Sequence, residues 1–197
     1  MNRKITAVFA LVVASASLIL IASVAKSSTV TVTASVTQTV ACTTNISSTA
    51  FGTLSTAAVA SSTPNASSSL SCNDGLGCTL SVQDQGNGAS PGLATTSPAY
   101  LIPSTSGLLS AGTEGYGIQA TTTAGGTGNA ATVNTLYNVT STAPWTGALS
   151  RSATTLASST AQLNGTRFFL VAHYASIGAT TQSGSYSDTI TYSCTGN

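Results

Sequence analysis

The sequence contains very little charge. Only 5% of its 197 residues are Asp, Glu, Lys or Arg, against about 25% in an average soluble protein. Three of the five basic residues, Arg3, Lys4 and Lys26, lie in the first 26 positions, which leaves Arg151 and Arg167 for the rest of the chain. Because two arginines cannot build a basic surface, we expect no nucleic-acid partner.

Residues suited to catalysis or metal binding are also scarce. The chain has one histidine, His173, and no Gly-x-Ser-x-Gly nucleophile motif. His173 alternates with Phe169 and Val171, which favours a histidine packed in a sheet over a catalytic base. Asp84 and Asn87 resemble a fragment of a calcium loop, but the later carboxylates are missing and a hairpin turn is favoured. We therefore predict a protein that is not an enzyme and uses no metal or cofactor.

The longest apolar run is at the N-terminus. Arg3 and Lys4 precede "ITAVFALVVASASLILIASVA", which ends in the small residues that signal peptidase requires. Residues 1–25 are therefore predicted to form a secretory signal helix that directs the chain through the Sec pathway to the cell surface or the exterior. The run approaches the roughly 20 residues that span a bilayer, so an uncleaved membrane anchor is the alternative. In either case the membrane is contacted through this segment alone.

What the chain has in abundance is Ser and Thr, which make up roughly a third of it. Apolar residues alternate with them in several segments, and turn residues separate the segments, as in an all-β sandwich. The clearest predicted strands are "CTLSVQD" from Cys78, "RFFLVAHYAS" from Arg167 and "GSYSDTITYSC" from Gly184. In the last of these, Asp188 is interpreted as bonding local backbone or hydroxyl groups. No segment after the signal has a sustained helical period, so we predict one all-β domain of antiparallel strands.

The stretch "STVTVTASVTQTVAC", which begins at Ser28, is more than twice as long as a typical strand of about five or six residues. Its apolar residues fall on one face and its hydroxyls on the other. Either it is one long strand, or it contains two strands with different partners.

Four cysteines fit an exported protein in an oxidising compartment. Their spacing does not match a zinc site, so two structural disulfides are predicted. Three pairings are possible. We favour Cys42 with Cys72 and Cys78 with Cys194, because each would join the ends of two predicted strands.

The order of these features resembles that of the spore-coat-protein-U-like domains and the archaic chaperone-usher pilins of bacteria. The matching residues are "TVTASVTQTVAC" up to Cys42, "FGTL" from Phe51, "SLSC" ending at Cys72, and "GSYSDTITYS" from Gly184. Other segments are similar to those of WxL-type surface domains. The resemblance implies an immunoglobulin-like sandwich, complete or lacking its final strand, in which a segment from the next subunit fills the groove.

On this basis we divide the chain into a signal at 1–25, an N-terminal extension at 26–35 that acts as the donor strand, and a sandwich domain at 36–197. Val30, Val32, Ala34 and Val36 are the candidate exchange residues, and residues 36–41 would be the domain's own first strand. The expected function is that of a structural subunit of a bacterial surface fibre, pilus or coat. Its partners would be copies of itself or related subunits, with a periplasmic chaperone before assembly. The alternative is a self-contained adhesive domain whose opening strand folds into its own sheet.

Overall fold

A computed structural model of the chain describes residues 28–123, 125–126, 128–138 and 143–197. The predicted signal at residues 1–25 lies outside these residues. Val36–Asn197 forms one compact unit, and residues 28–35 do not belong to it. Within the described residues, no helix is long and apolar enough to cross a membrane.

The described residues are all-β and contain no helix. Their strands are Val40–Ile46 (β1), Ala60–Ser61 (β2), Ala66–Cys72 (β3), Cys78–Asp84 (β4), Gly92–Thr96 (β5), Ala99–Pro103 (β6), Gly107–Leu108 (β7), Gly115–Thr123 (β8), Thr132–Val133 (β9), Trp145–Thr146 (β10), Thr154–Ser158 (β11), Arg167–Ser176 (β12) and Ile190–Gly196 (β13).

The first sheet is built around β12, the longest strand. In it β1 pairs with β3, β3 with β12, and β12 also pairs with β2 and β8. Every second side chain of β12 is buried, namely those of Phe169, Val171, His173 and Ala175. The opposite face is only half-buried, and Phe168 is 37% exposed. The nearly continuous apolar sequence of this strand therefore corresponds to one buried face and one partly buried face.

The second sheet has the strand order β13, β4, β11, β9, with antiparallel neighbours. The predicted strand at Cys78 is confirmed with its bounds, and its alternate side chains Cys78, Leu80, Val82 and Asp84 are fully buried. They pack against the buried face of the first sheet in a common core. The antiparallel all-β sandwich predicted from the alternation is therefore confirmed.

The last strand begins later than its sequence pattern predicts. Alternation starts near Gly184, but β13 starts at Ile190. Just before it, Ser187 bridges to Ala94 of β5, and the Asp188 carboxylate accepts a hydrogen bond from Gly86 N at 3.1 Å. The residues just before Ile190 therefore contact β5 and the β4–β5 connection instead of pairing with β4.

The first strand of the domain also begins later than predicted, and it runs past the predicted end at Ala41 to Ile46. It begins at Val40, so residues 36–39 do not belong to it, and Val36 is 86% exposed. The reason lies in the partner strand. Val40 is opposite Cys72, the last residue of β3, and beyond that pair the ladder becomes irregular. Asn73 N still donates to Thr39 O, but Thr39 N donates to the Asn73 side chain instead of a backbone carbonyl, so the regular strand pairing ends.

The favoured disulfide pairing is wrong, although all four cysteines are bonded. Cys42 is joined to Cys194 and Cys72 to Cys78. Register explains the error. Cys42 lies opposite Leu70 in the β1–β3 ladder, two residues away from Cys72. The short β3–β4 connection instead brings Cys72 within 6.3 Å of Cys78, measured between Cα atoms.

Candidate functional site

A groove opens between the outer strands of the two sheets. β1 is the end strand of the first sheet and β13 the end strand of the second. The Cys42–Cys194 disulfide ties them together at one end. Beyond the disulfide the walls are formed by Thr44 and Ile46 of β1 and by Ile190 and Tyr192 of β13.

Two connecting segments extend these walls, residues 47–54 after β1 and residues 181–188 before β13. The floor consists of Ala66, Leu93, Tyr116, His173 and Ile177. The groove has a volume of about 1030 Å³, which is large enough for a peptide strand or a small molecule.

The groove exposes part of the hydrophobic core. Several apolar side chains pack against the core but are only half-buried, and six of them line this groove: Phe51, Leu54, Ile177, Tyr186, Ile190 and Tyr192. Exposed apolar surface continuous with a core is costly in water and marks sites of association. The arrangement can therefore accept an apolar strand or ligand.

The groove carries little charge. Its lining contains one acidic residue, Asp188, and one histidine, His173, and it contains no lysine or arginine. His173 is 6% exposed and stacks on Tyr116, with ring centroids 6.4 Å apart. Burial lowers the pKa of His173 to about 4, so the ring is neutral at pH 7. The prediction of a histidine packed in the sheet is confirmed.

A buried carboxyl group, Asp84, lies close to the partly buried Asp188, which lines the groove. Asp84 is fully buried, and its Oδ2 accepts a hydrogen bond from Gly92 N at 3.0 Å. Asp188 accepts one from the Tyr116 hydroxyl at 3.1 Å. Burial, and then the charge of Asp188, raise the pKa of Asp84 to about 7. Asp84 therefore keeps its proton to a much higher pH than an aspartate in water does.

One feature of this pair was predictable, because the alternation of β4 places Asp84 on the buried face. The contact between Asp84 and Asp188 was not predicted, since the two residues are 104 positions apart in sequence. The interpretation of Asp188 is confirmed for a hydroxyl partner, which is that of Tyr116, but its backbone partner is not local, because Gly86 is distant in sequence. Asn87 lies in a turn, and its side chain accepts hydrogen bonds from Ala89 N and Ser90 N. The predicted hairpin is wrong, because β4 and β5 on either side of the turn belong to different sheets.

The candidate exchange residues lie outside any strand. Val30, Val32 and Val36 are 84%, 87% and 86% exposed, and Ala34 is exposed as well. The structure does not test their role, and donor-strand exchange stays a prediction. Comparison of the chain with protein-family models, curated proteins and solved structures finds no match.

Proposed function

We propose that the protein is an exported, non-enzymatic structural subunit of a bacterial surface fibre, pilus or coat. In this proposal the groove between β1 and β13 accepts residues 28–35 of a second copy as an added strand. The observation that carries the proposal is a groove between two edge strands that is lined by half-buried apolar side chains, in a chain that also has an exposed, alternating valine segment.

Backbone hydrogen bonding supports strand addition. β13 pairs along all seven of its residues with β4 on one side, and within the described residues no strand pairs with its other side. β1 has the same arrangement, with β3 as its partner. Unpaired strand edges are templates for another chain, and an inserted strand would supply the missing donors and acceptors.

Side-chain chemistry supports the choice of occupant. Val30 and Val32 alternate with threonines, so one face of the segment is apolar and the other polar. Burying each valine is worth about 1.5 to 3 kcal/mol relative to leaving it in water. Residues 28–39 contain no charged side chain, which matches a groove that has a single carboxylate and no cation.

The geometry of such a contact determines the assembly. The donor segment and the acceptor groove are different surfaces, so each copy can donate to one neighbour and accept from another. A head-to-tail contact that does not close on itself produces a fibre. The two disulfides support an oxidising location outside the cytoplasm, and a periplasmic chaperone would cover the groove until the subunits meet.

Assembly of the mature chain from Lys26 onward tests the proposal. We expect rods by electron microscopy and a concentration-dependent rise in mass by size-exclusion chromatography with light scattering. A chain that lacks residues 28–35 should stay a folded monomer and should bind a synthetic peptide of residues 28–39. The matched control is a peptide with Val30→Ser and Val32→Ser. Assembly of the truncated chain, or a mature chain that stays monomeric, would contradict the proposal.

A second candidate is a self-contained adhesive domain. The rim of the same groove is rich in hydroxyls, from Thr49, Thr53, Ser183 and Ser185, above the aromatic rings of Phe51 and Tyr186. Hydroxyls around aromatic surface suit a small polar ligand. This candidate requires a mature chain that is monomeric and that does not bind the 28–39 peptide.

A further inference from the structure

The backbone just before β1 is held by an asparagine side chain. Thr39 N donates to Asn73 Oδ1 at 2.7 Å, and Asn73 Nδ2 donates to the carbonyl of Thr37 at 2.9 Å. Asn73 N also donates to Thr39 O at 3.1 Å. One residue therefore makes three hydrogen bonds to a three-residue segment.

These bonds continue the register of the β1–β3 ladder. Val40 is the Cα partner of Cys72, so the next opposing pair is Thr39 with Asn73. In a regular antiparallel pair the backbone carbonyl of Asn73 would accept from Thr39 N. Here the side-chain amide replaces that carbonyl and also reaches Thr37. The segment is thus kept extended, in line with β1, after β3 has ended.

A second contact fixes the same segment against the second sheet. The side chain of Gln38 donates a hydrogen bond to the Asp74 carboxylate. It also lies against Gly196 at the end of β13, where any Cβ would overlap it. Residues 37–39 are therefore attached to the β3–β4 connection and to the C-terminal end of β13.

This attachment opposes closure of the groove by the chain's own N-terminal segment. To lie beside β1 in its own groove, that segment would have to reverse direction and form a hairpin with β1. The turn of that hairpin would fall on residues 37–39, since hairpin loops have two to five residues. A reversal there would break the hydrogen bonds that hold Thr37 and Thr39 extended. A strand supplied by a second copy requires no such break.

We propose that Asn73, with Gln38 and Asp74, acts as a clamp that directs the donor segment to a second copy instead of its own groove. The inference rests on the proposed function, and it assigns positioning residues that do not contact the groove. Removal of the clamp should favour self-closed monomers over fibres.

The test compares Asn73→Ala with wild type as refolded mature chains at one protein concentration. The variant removes the two hydrogen bonds that the Asn73 side chain makes, so the ratio of closed monomer to fibre should rise about tenfold. Closed monomers are recognised because they no longer bind the labelled 28–39 peptide. The control is Asn134→Ala, which removes a comparable side-chain bond to the Leu136 amide and should leave the ratio unchanged.

Gln38→Ala provides a second variant, at an exposed position where loss of folding is not expected. It should shift the ratio in the same direction by a smaller factor. If both variants assemble like wild type and leave no closed monomer, the clamp is refuted while the proposed function stands. If wild type itself neither assembles nor, when truncated, binds the peptide, the proposed function and the clamp both fail.

Discussion

Cys42 and Cys194 are 152 residues apart in sequence, yet their Cα atoms are 6.0 Å apart and their side chains form a disulfide. The bond joins the outer strand of one sheet to the outer strand of the other. It therefore closes the sandwich at one end and sets the spacing of β1 and β13 where the groove begins. The groove stays open along its outer side, although the disulfide cross-links the two sheets at one end.

The two disulfides should contribute unequally to stability. A cross-link stabilises mainly by restricting the unfolded chain, in proportion to the logarithm of the loop it closes. For the loop closed by Cys42 and Cys194 this model gives about 5 kcal/mol, and for the short loop closed by Cys72 and Cys78 about 2 kcal/mol. We expect Cys42→Ser with Cys194→Ser to lower the unfolding free energy more than Cys72→Ser with Cys78→Ser. Urea denaturation of both double variants measures the difference, and equal losses would contradict the expectation.

Stability should depend on pH through two buried groups with opposite effects. The pKa of Asp84 is raised from 3.8 to about 7, so between these values the folded protein binds a proton that the unfolded chain has released. Its contribution to the unfolding free energy therefore falls as pH rises from about 4 to about 7. The pKa of His173 is lowered from 6.5 to about 4, so its contribution falls as pH decreases through that interval.

Because the two effects oppose each other, the wild-type unfolding free energy should change little between about pH 4.5 and 6.5. Asp84→Asn should reveal the histidine effect, a stability that rises with pH by up to about 1.4 kcal/mol per pH unit. His173→Gln should reveal the reverse slope. Urea midpoints at several pH values provide the measurement. A profile for Asp84→Asn that parallels wild type would show that Asp84 does not retain its proton in the folded state.

A charge on the groove wall should block strand addition without unfolding the domain. Leu54 is half-buried in the segment after β1 and lines the groove. Leu54→Lys would place an ammonium group against apolar surface, and burial of the incoming valines would require its desolvation. We expect the truncated chain with this change to bind the 28–39 peptide at least about tenfold more weakly by fluorescence anisotropy.

The matched control for that variant is Leu76→Lys. Leu76 is 70% exposed in the β3–β4 connection and does not line the groove. Leu76→Lys introduces the same charge at a position that does not line the proposed site. If both variants bind the peptide like the parent chain, the peptide does not occupy this groove.

Local patterns predicted the parts of the fold that depend on neighbouring residues. The alternation from Cys78 predicted β4 with its bounds, because burial of every second side chain is a property of the strand itself. The boundaries of β1 and β13 were missed because they depend on where a partner strand ends or a loop attaches. Thr39 N bonds to the Asn73 side chain instead of a backbone carbonyl once β3 stops at Cys72, and Asp188 is engaged by the β4–β5 connection.

The candidate site was less accessible from sequence. The valine segment is visible as a pattern, but the groove combines residues near position 50 with residues near position 190. The disulfide error has the same origin, since the pairing of Cys42 depends on the packing of two sheets and not on spacing. The Asp84 and Asp188 pair likewise requires a contact between distant strands.

The proposed strand exchange requires residues near Val32 to enter the groove of a different copy. A photoreactive residue at position 32, incorporated in a mixture of ¹⁵N-labelled and unlabelled mature chains, tests this directly by mass spectrometry of the cross-linked peptides. Strand exchange between copies predicts cross-links of mixed isotope composition to residues 44–54 or 181–192, the two groove walls. Cross-links within single copies only, or to surfaces outside the groove, would contradict it.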